Sequence, residues 1–155
     1  MFGRFVFELG CVTYLSTRHV LAKNLTQVAV SSLLYYSVGH SLSLDAYGGF
    51  YGTKPYLMQG ESQLEFSRSL LSFICCWHCV SIASASLSER TFSGTHTFVT
   101  VFVSGILFPV AASWVWGQGW LQKMGFIDYS GAAAVHLLGG IIGLIGTLSL
   151  KPRLG

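Results

Sequence analysis

The sequence predicts an all-α polytopic membrane protein, a bundle of four long transmembrane helices preceded by a short first helix. Three observations predict it. Only 10% of the 155 residues are charged, against roughly 25% in an ordinary soluble domain, while 52% are hydrophobic and the mean hydropathy is +0.57. Four windows, residues 24–44, 69–87, 91–122 and 129–150, contain no Lys, Arg, Asp or Glu, and a spanning helix needs about 20 apolar residues. The basic residues outside the windows fall into two groups, as loops on opposite sides of a bilayer require. The length allows one domain, residues 1–155.

The elements follow in order. "MFGRFVFELGCVTYL" makes a poor signal peptide, because Glu8 interrupts the apolar run and no small-residue cleavage site follows cleanly. Residues 2–14 therefore read as a short or incomplete helix that is retained. The long helices are expected at 25–44, 66–87, 92–116 and 129–150. "DAYGGFYGTKPYLMQGESQLE" is rich in Gly and Tyr and reads as an ordered external loop at the interface. "SERTFSG" is a tight turn, and "GQGWLQKMGFI" is a glycine-punctuated connection with Trp120 at headgroup level. Pro152 in "KPRLG" stops the last helix.

Arg18, Lys23, Arg90, Lys151 and Arg153, opposed only by Glu89, collect on one side. Lys54, Arg68 and Lys123, opposed by Asp45, Glu61 and Glu65, collect on the other. The positive-inside rule turns the first set to the cytoplasm, and an even number of spans after the Arg18–Lys23 loop returns the C-terminus there. The net charge of +3 is spread out, with no basic run to bind nucleic acid. Of the four cysteines, Cys75, Cys76 and Cys79 lie in an apolar window and read as buried thiols, not a disulfide frame.

Within "IDYSGAAAVHLLGG" an aspartate and a histidine stand eight residues apart in an apolar, small-residue segment. Asp128 precedes the helix, where a carboxylate caps free backbone N–H groups and meets the positive end of the dipole. On an α-helix, His136 lies ~12 Å deeper and ~80° round. An ionisable residue in a span marks a pathway or relay; the alternative is a cap and a packing histidine bonded to a neighbouring helix. Gly139, Gly143 and Gly146 share a face that lets another helix approach closely.

"WVWGQGWLQKMGFIDYSGAAAVHLLGGIIGLIGTLSLKPRLG" resembles the ammonium transporter family, the Amt, Mep and Rh proteins. The family pattern is W-G-x-G, a short loop, D-[FY]-[AS]-G, four small or apolar residues, His, and a Gly-rich helix ending in G-P-R. "LSER" at Leu87 to Arg90 matches the A-E-R that closes the family's third helix, and "FELGCV" and "AKN" match the end of its first and the start of its second. "SVGHSLS" stands where the family has G-[YF]-[GAS]. The resemblance covers essentially the whole chain and is most specific from Leu87 onward.

By this resemblance His136 matches the first of two pore histidines, Trp116 the aromatic of an external ammonium vestibule, and Asp128 the acid beside it. The implied function is passage of ammonium or ammonia across a bilayer, without covalent catalysis, cofactor or metal. The expected location is the plasma membrane, with an organelle membrane as the alternative, and the expected assembly is a homotrimer when complete or a complementary second half. A pure capping role predicts that Asn replaces Asp128 with little change, whereas cation recruitment by charge predicts lost transport. Two departures stand out. The family's gating phenylalanines align with Leu71 and Cys75, with Phe73 nearby on a different face. The family also has about eleven spans in two inverted repeats, and the chain matches the first, so the second pore histidine and the vestibule serine fall outside it. A non-conducting, transporter-derived structural subunit of a membrane assembly is the competing expectation.

Two other signals are weaker. "CCWHC", Cys75 to Cys79, looks like a compact metal site, but neighbouring residues on a helix point in different directions, and the cysteines read as small hydrophobes. Ser88, Ser93 and His96 raise a serine hydrolase, but without a nucleophile elbow. The charge partition yields a prediction: cysteine-accessibility labelling places positions 90 and 151 on the same face of the membrane, and labelling from opposite faces refutes the topology.

Overall fold

The structure is a computed structural model that describes residues 2–46, 49–53, 57 and 62–150. All regular structure among them is helical. Helix α1 is Phe2–Cys11. Helix α2 covers residues 17–43 as Thr17–Leu34, a π-turn Tyr35–Gly39 and His40–Ser43. Helix α3 is Gln63–Ala85. Helix α4 covers residues 93–115 as Ser93–Phe102, a π-turn Val103–Leu107 and Phe108–Val115. Helix α5 is the short Trp120–Lys123, and α6 is Ala132–Leu150, opening with a π-turn at Ala132–Leu137.

Four long helices thus follow a short one, as the sequence predicts. Among the described residues, three segments are long and apolar enough to cross a membrane, Gln63–Ala85, Ser93–Lys123 and Ala132–Leu150. Helix α2 has the length but a polar inner face, with Lys23, Asn24, Gln27 and Ser31 all buried. It also starts earlier than expected, so Arg18 and Lys23 lie in the helix and not in a loop. From within the helix, buried Lys23 Nζ makes a tertiary bond, donating to the carbonyls of Ser88, at 2.6 Å, and Thr91. These carbonyls belong to the α3–α4 turn, which Thr13 also holds through its backbone N–H on Glu89 Oε1 at 2.9 Å. Helix α6 begins at Ala132, three residues later than the charge-free window implies, because Ser130 and Gly131 take left-handed backbone conformations, φ 57° and 78°.

The helix ends sort the charges as the sequence predicts. Arg18, Lys23 and Arg90 lie where α2 and α4 begin; Asp45, Glu65, Arg68, Lys123 and Asp128 lie at the opposite end. Lys54, Glu61, Lys151, Pro152 and Arg153 lie outside the described residues. The external loop is ordered where it is described: Trp114 Nε1 donates to Phe50 O at 2.8 Å, the two rings meet at 4.8 Å, and Gly52 N donates to Leu42 O at 2.7 Å.

The core is built from Tyr35, Cys76, Cys79, Val80, Val103, Phe108, Ala112 and Val135. Around it the chain is turned outside in. Ser31, Ser69, Ser84, Thr100, Ser104 and Ser113 are buried, while Leu33, Leu71, Phe98, Leu144, Ile145 and Leu148 are exposed. A water-soluble domain puts its large aliphatic side chains inside, whereas lipid accepts them outside and leaves small residues to make helix contacts.

Helix α6 packs along α3 through the predicted glycine face. A Cβ on Gly139 would stand 2.8 Å from the carbonyl oxygen of Cys79 and 2.9 Å from Ile82 Cβ; on Gly143 it would stand 2.8 Å from Ser86 Oγ. Gly140, on another face, has nothing within 4 Å. Gly139→Ala must push the two backbones apart and is expected to cost about 1–3 kcal/mol, as other overpacked cores do. Gly140→Ala is expected to be neutral or slightly stabilising through helix propensity. Thermal unfolding of the detergent-solubilised protein checks the contrast; equal midpoints for the two variants would remove the glycine contact as a determinant of packing.

Candidate functional site

A cleft of about 750 Å³ opens at the end of the bundle where α2 and α4 stop and α3 and α6 start. It gathers residues from four separate stretches of chain. Leu71 and Cys75 come from α3, Trp116 from the end of α4, and Asp128 from the connection into α6. Asp45, just past α2, and Glu65 and Arg68, in the first turns of α3, complete the polar rim. Three carboxylates thus face one guanidinium, a balance that draws cations. Among the described residues no group of three or more His, Cys, Asp or Glu could hold a metal ion.

The backbone around the cleft is unusually constrained. Asp45, Gln118 and Ser130 have φ of 54°, 60° and 57°, and all three line it. Non-glycine residues hold this conformation only when their surroundings impose it, and such positions concentrate at functional sites. At Gly131, φ 78°, a side chain would be strained and would also collide with Val135, its Cβ standing 2.8 Å from Val135 Cγ2. The same spot is 3.7 Å from the tip of the Trp116 ring, an ordinary contact distance, so the loop runs beside the indole. Trp116 is half-buried, and its ring meets Phe108 edge-on at 6.4 Å.

Asp128 reaches over the start of α6 from four residues before its first turn. Its Oδ1 accepts the Ala133 N–H at 2.9 Å and its Oδ2 the Ala134 N–H at 3.1 Å. The capping expectation therefore holds, with both oxygens engaged. The depth and rotation expected for His136 on a regular α-helix do not hold, because Asp128 lies outside the helix and the first turn is π-wound. His136 is exposed; its Nδ1 lies 3.1 Å from Gly131 O, and its ring meets that of His78 at 5.3 Å.

Four of the five singled-out residues, Trp116, Asp128, Leu71 and Cys75, thus line one cleft, and His136 lies outside its lining against α3. Phe73 faces elsewhere, packing on Tyr35 and Tyr36. Cys76 and Cys79 are in the core and Cys75 in the cleft, so the three thiols of "CCWHC" part company. Sequence reasoning missed the part of Asp45 and Arg68 in the cleft, and His78. For His78 a signal existed: it is three residues past Cys75, one turn along the same helix face. Asp45 had none, since only the fold brings the end of α2 to this mouth. The arrangement offers an aromatic face and carboxylates at the rim, an apolar and thiol wall below, and an imidazole outside the lining. That is chemistry for receiving a small cation and removing its water.

The double engagement of Asp128 changes what Asn can do there. Asn presents one oxygen and one NH2 group, so one of the two amides loses its acceptor. Asp128→Asn is expected to cost about 1–3 kcal/mol, and Asp128→Ala more, in place of the small effect expected of an ordinary cap. Unfolding midpoints falling in the order Asp, Asn, Ala check this; an Asn variant as stable as the parent contradicts it.

Comparisons with known proteins identify the family. The family model described as Ammonium Transporter Family matches residues 1–155. Ammonium transporter Amt2 of Archaeoglobus fulgidus is 31% identical over 166 residues, covering 99% of this chain and 36% of that protein. Ammonium transporter 3 of Dictyostelium discoideum is 30% identical over 156 residues, covering 97% of this chain and 35% of that protein. Ammonium transporter 1 member 2 of Oryza sativa subsp. japonica is 29% identical over 160 residues, covering 94% and 32%. The chain spans about a third of the length of these relatives. Similarity along the whole chain, on an all-helical membrane bundle, makes this protein a member of the Ammonium Transporter Family.

Proposed function

We propose that the cleft is the mouth of a conduction path that carries ammonium or ammonia across a membrane. The observation that carries the reading is the convergence of Trp116 and Asp128 on one cleft, from segments twelve residues apart that each cap or close a helix end. An ammonium ion drawn by the carboxylates of the rim meets the indole face of Trp116. Cation–π attraction strengthens there as water is removed. Asp128 acts mainly by holding the start of α6, and with it the Trp116–Gly131 contact, in place. Its charge is shared with the backbone amides of Ala133 and Ala134, so its pull on a cation is indirect.

Leu71 and Cys75 form a wall of smaller side chains, without the paired phenylalanine rings implied by the resemblance. Beyond them His136 offers an imidazole to the passing solute. The similar proteins are named as transporters, and nothing in the comparisons favours the structural-subunit reading. The plasma membrane and a homotrimeric assembly belong to the same proposal and rest on the resemblance alone.

The test is ammonium uptake by transport-deficient cells expressing the protein from its full reading frame. Trp116→Leu is expected to raise the KM for ammonium about 2- to 30-fold, the equivalent of ~0.5–2 kcal/mol of cation–π attraction. His136→Ala is expected to depress or alter uptake while the amount of protein in the membrane stays near that of the parent. Unchanged KM and unchanged rate in these two variants would falsify the reading of the cleft and of His136.

A further inference from the structure

His78 belongs to the "CCWHC" run, and no part of the proposed path uses it. Its ring stands edge-on to that of His136, with centroids 5.3 Å apart and planes at 67°. The contact joins α3 to the π-wound opening of α6. His78 follows Cys75 by one helical turn, and Cys75 is in the wall of the cleft, so α3 carries one face from the mouth to the imidazoles. His78 is half-buried and His136 exposed, which sets both rings apart from the packed core.

The hydrogen bonding of His136 orients its chemistry. Its Nδ1 is 3.1 Å from the carbonyl oxygen of Gly131. A carbonyl can only accept, so Nδ1 carries the hydrogen and, in the neutral ring, Nε2 carries the lone pair. The backbone turn at Gly131 that runs beside Trp116 therefore also fixes which nitrogen of His136 is basic. An imidazole costs free energy in a membrane span and marks a pathway by default. Two imidazoles from different helices, in ring contact, extend that marking to His78.

We propose that His78 is a further residue of the conduction path, acting with His136 as one imidazole pair beyond the Trp116–Asp128 cleft. The proposal rests on the reading of that cleft as the mouth of an ammonium or ammonia path. Between them the rings offer lone pairs and N–H donors to a small solute that both donates and accepts hydrogen bonds. A proton left by ammonium on Nε2 of His136 leaves ammonia in the path and one positive charge on the pair. That proton returns to ammonia, or to water, at the far side, so the pair ends as it began.

Uptake is measured for His136→Ala, His78→Ala, His78→Gln and the double alanine variant, each expressed from the full reading frame. Removing His78 is expected to lower the rate, or shift the preference for ammonium over methylammonium, at least threefold at unchanged membrane content. The double variant is expected to be no worse than His136→Ala alone, because residues that work as a unit are not additive. Parent-like uptake in both His78 variants, with His136→Ala impaired, overturns the proposal and leaves the path reading intact. No effect of His136→Ala overturns this proposal, and together with an unaffected Trp116→Leu it removes the path reading as well. Less inserted protein with unchanged uptake per molecule makes His78 a packing residue, which also overturns it. Independently of transport, nitrogen-15 NMR of histidine-labelled protein is expected to show the His136 Nε2 resonance moving in His78→Gln; an unmoved resonance refutes the pairing.

Discussion

A hydroxyl inside a membrane span always has one acceptor within reach, the carbonyl a turn behind it on its own helix. The protein relies on this throughout. Ser69 bonds Phe66 O at 2.8 Å, Ser81 bonds His78 O at 2.9 Å, Thr100 bonds His96 O at 3.0 Å, and Ser104 bonds Thr100 O at 2.7 Å. Without water, a polar group lacking a partner is costly, and the self-bonded serine or threonine meets that demand without help from another helix. Small polar side chains can therefore occupy the inner faces, where their size lets helices approach. Large aliphatic ones are left for the lipid face.

The same constraint explains where charge is spent. Helix ends cannot satisfy all of their own N–H and C=O groups, and here charged side chains from outside the helix complete them. Lys23 donates to the carbonyls of the α3–α4 turn from inside α2, and Asp128 accepts the first amides of α6 from the loop before it. Asp128 looks like a site and Lys23 like a loop charge in the sequence, and both hold the backbone at a helix end. For Asp128 the structural role underlies the one proposed for it, because the loop it pins runs beside Trp116.

Three π-turns among the described residues add a second layer. They lie in α2, α4 and α6, the helices around α3. In α4 the turn at Val103–Leu107 comes just before Pro109, which cannot donate a backbone hydrogen bond. In α6 it carries His136 away from the direction a regular helix would give it. Single π-turns of this kind are common at functional sites because they re-aim one side chain without breaking the helix.

Much of this was legible in the chain itself. Charge-free windows determined that the protein is helical and lives in a membrane, because only length and apolarity are needed to decide that question. The glycine face of α6 was legible by its spacing, and the pattern marked Trp116 and Asp128, which the fold brings to one cleft, and His136, which lies outside its lining. What the sequence did not determine was every property that depends on a contact between helices. Lys23 read as a loop residue because its carbonyl partners are 65 and 68 residues away. Asp128 read as an ordinary cap because its second hydrogen bond depends on the left-handed backbone at Ser130 and Gly131. His78 read as part of a false metal motif because its neighbour in sequence is a cysteine, and only the packing of α6 on α3 makes its neighbour in space a histidine. Apolarity and periodicity are properties of one segment and survive in one dimension; the partners of a buried polar group are chosen by the fold.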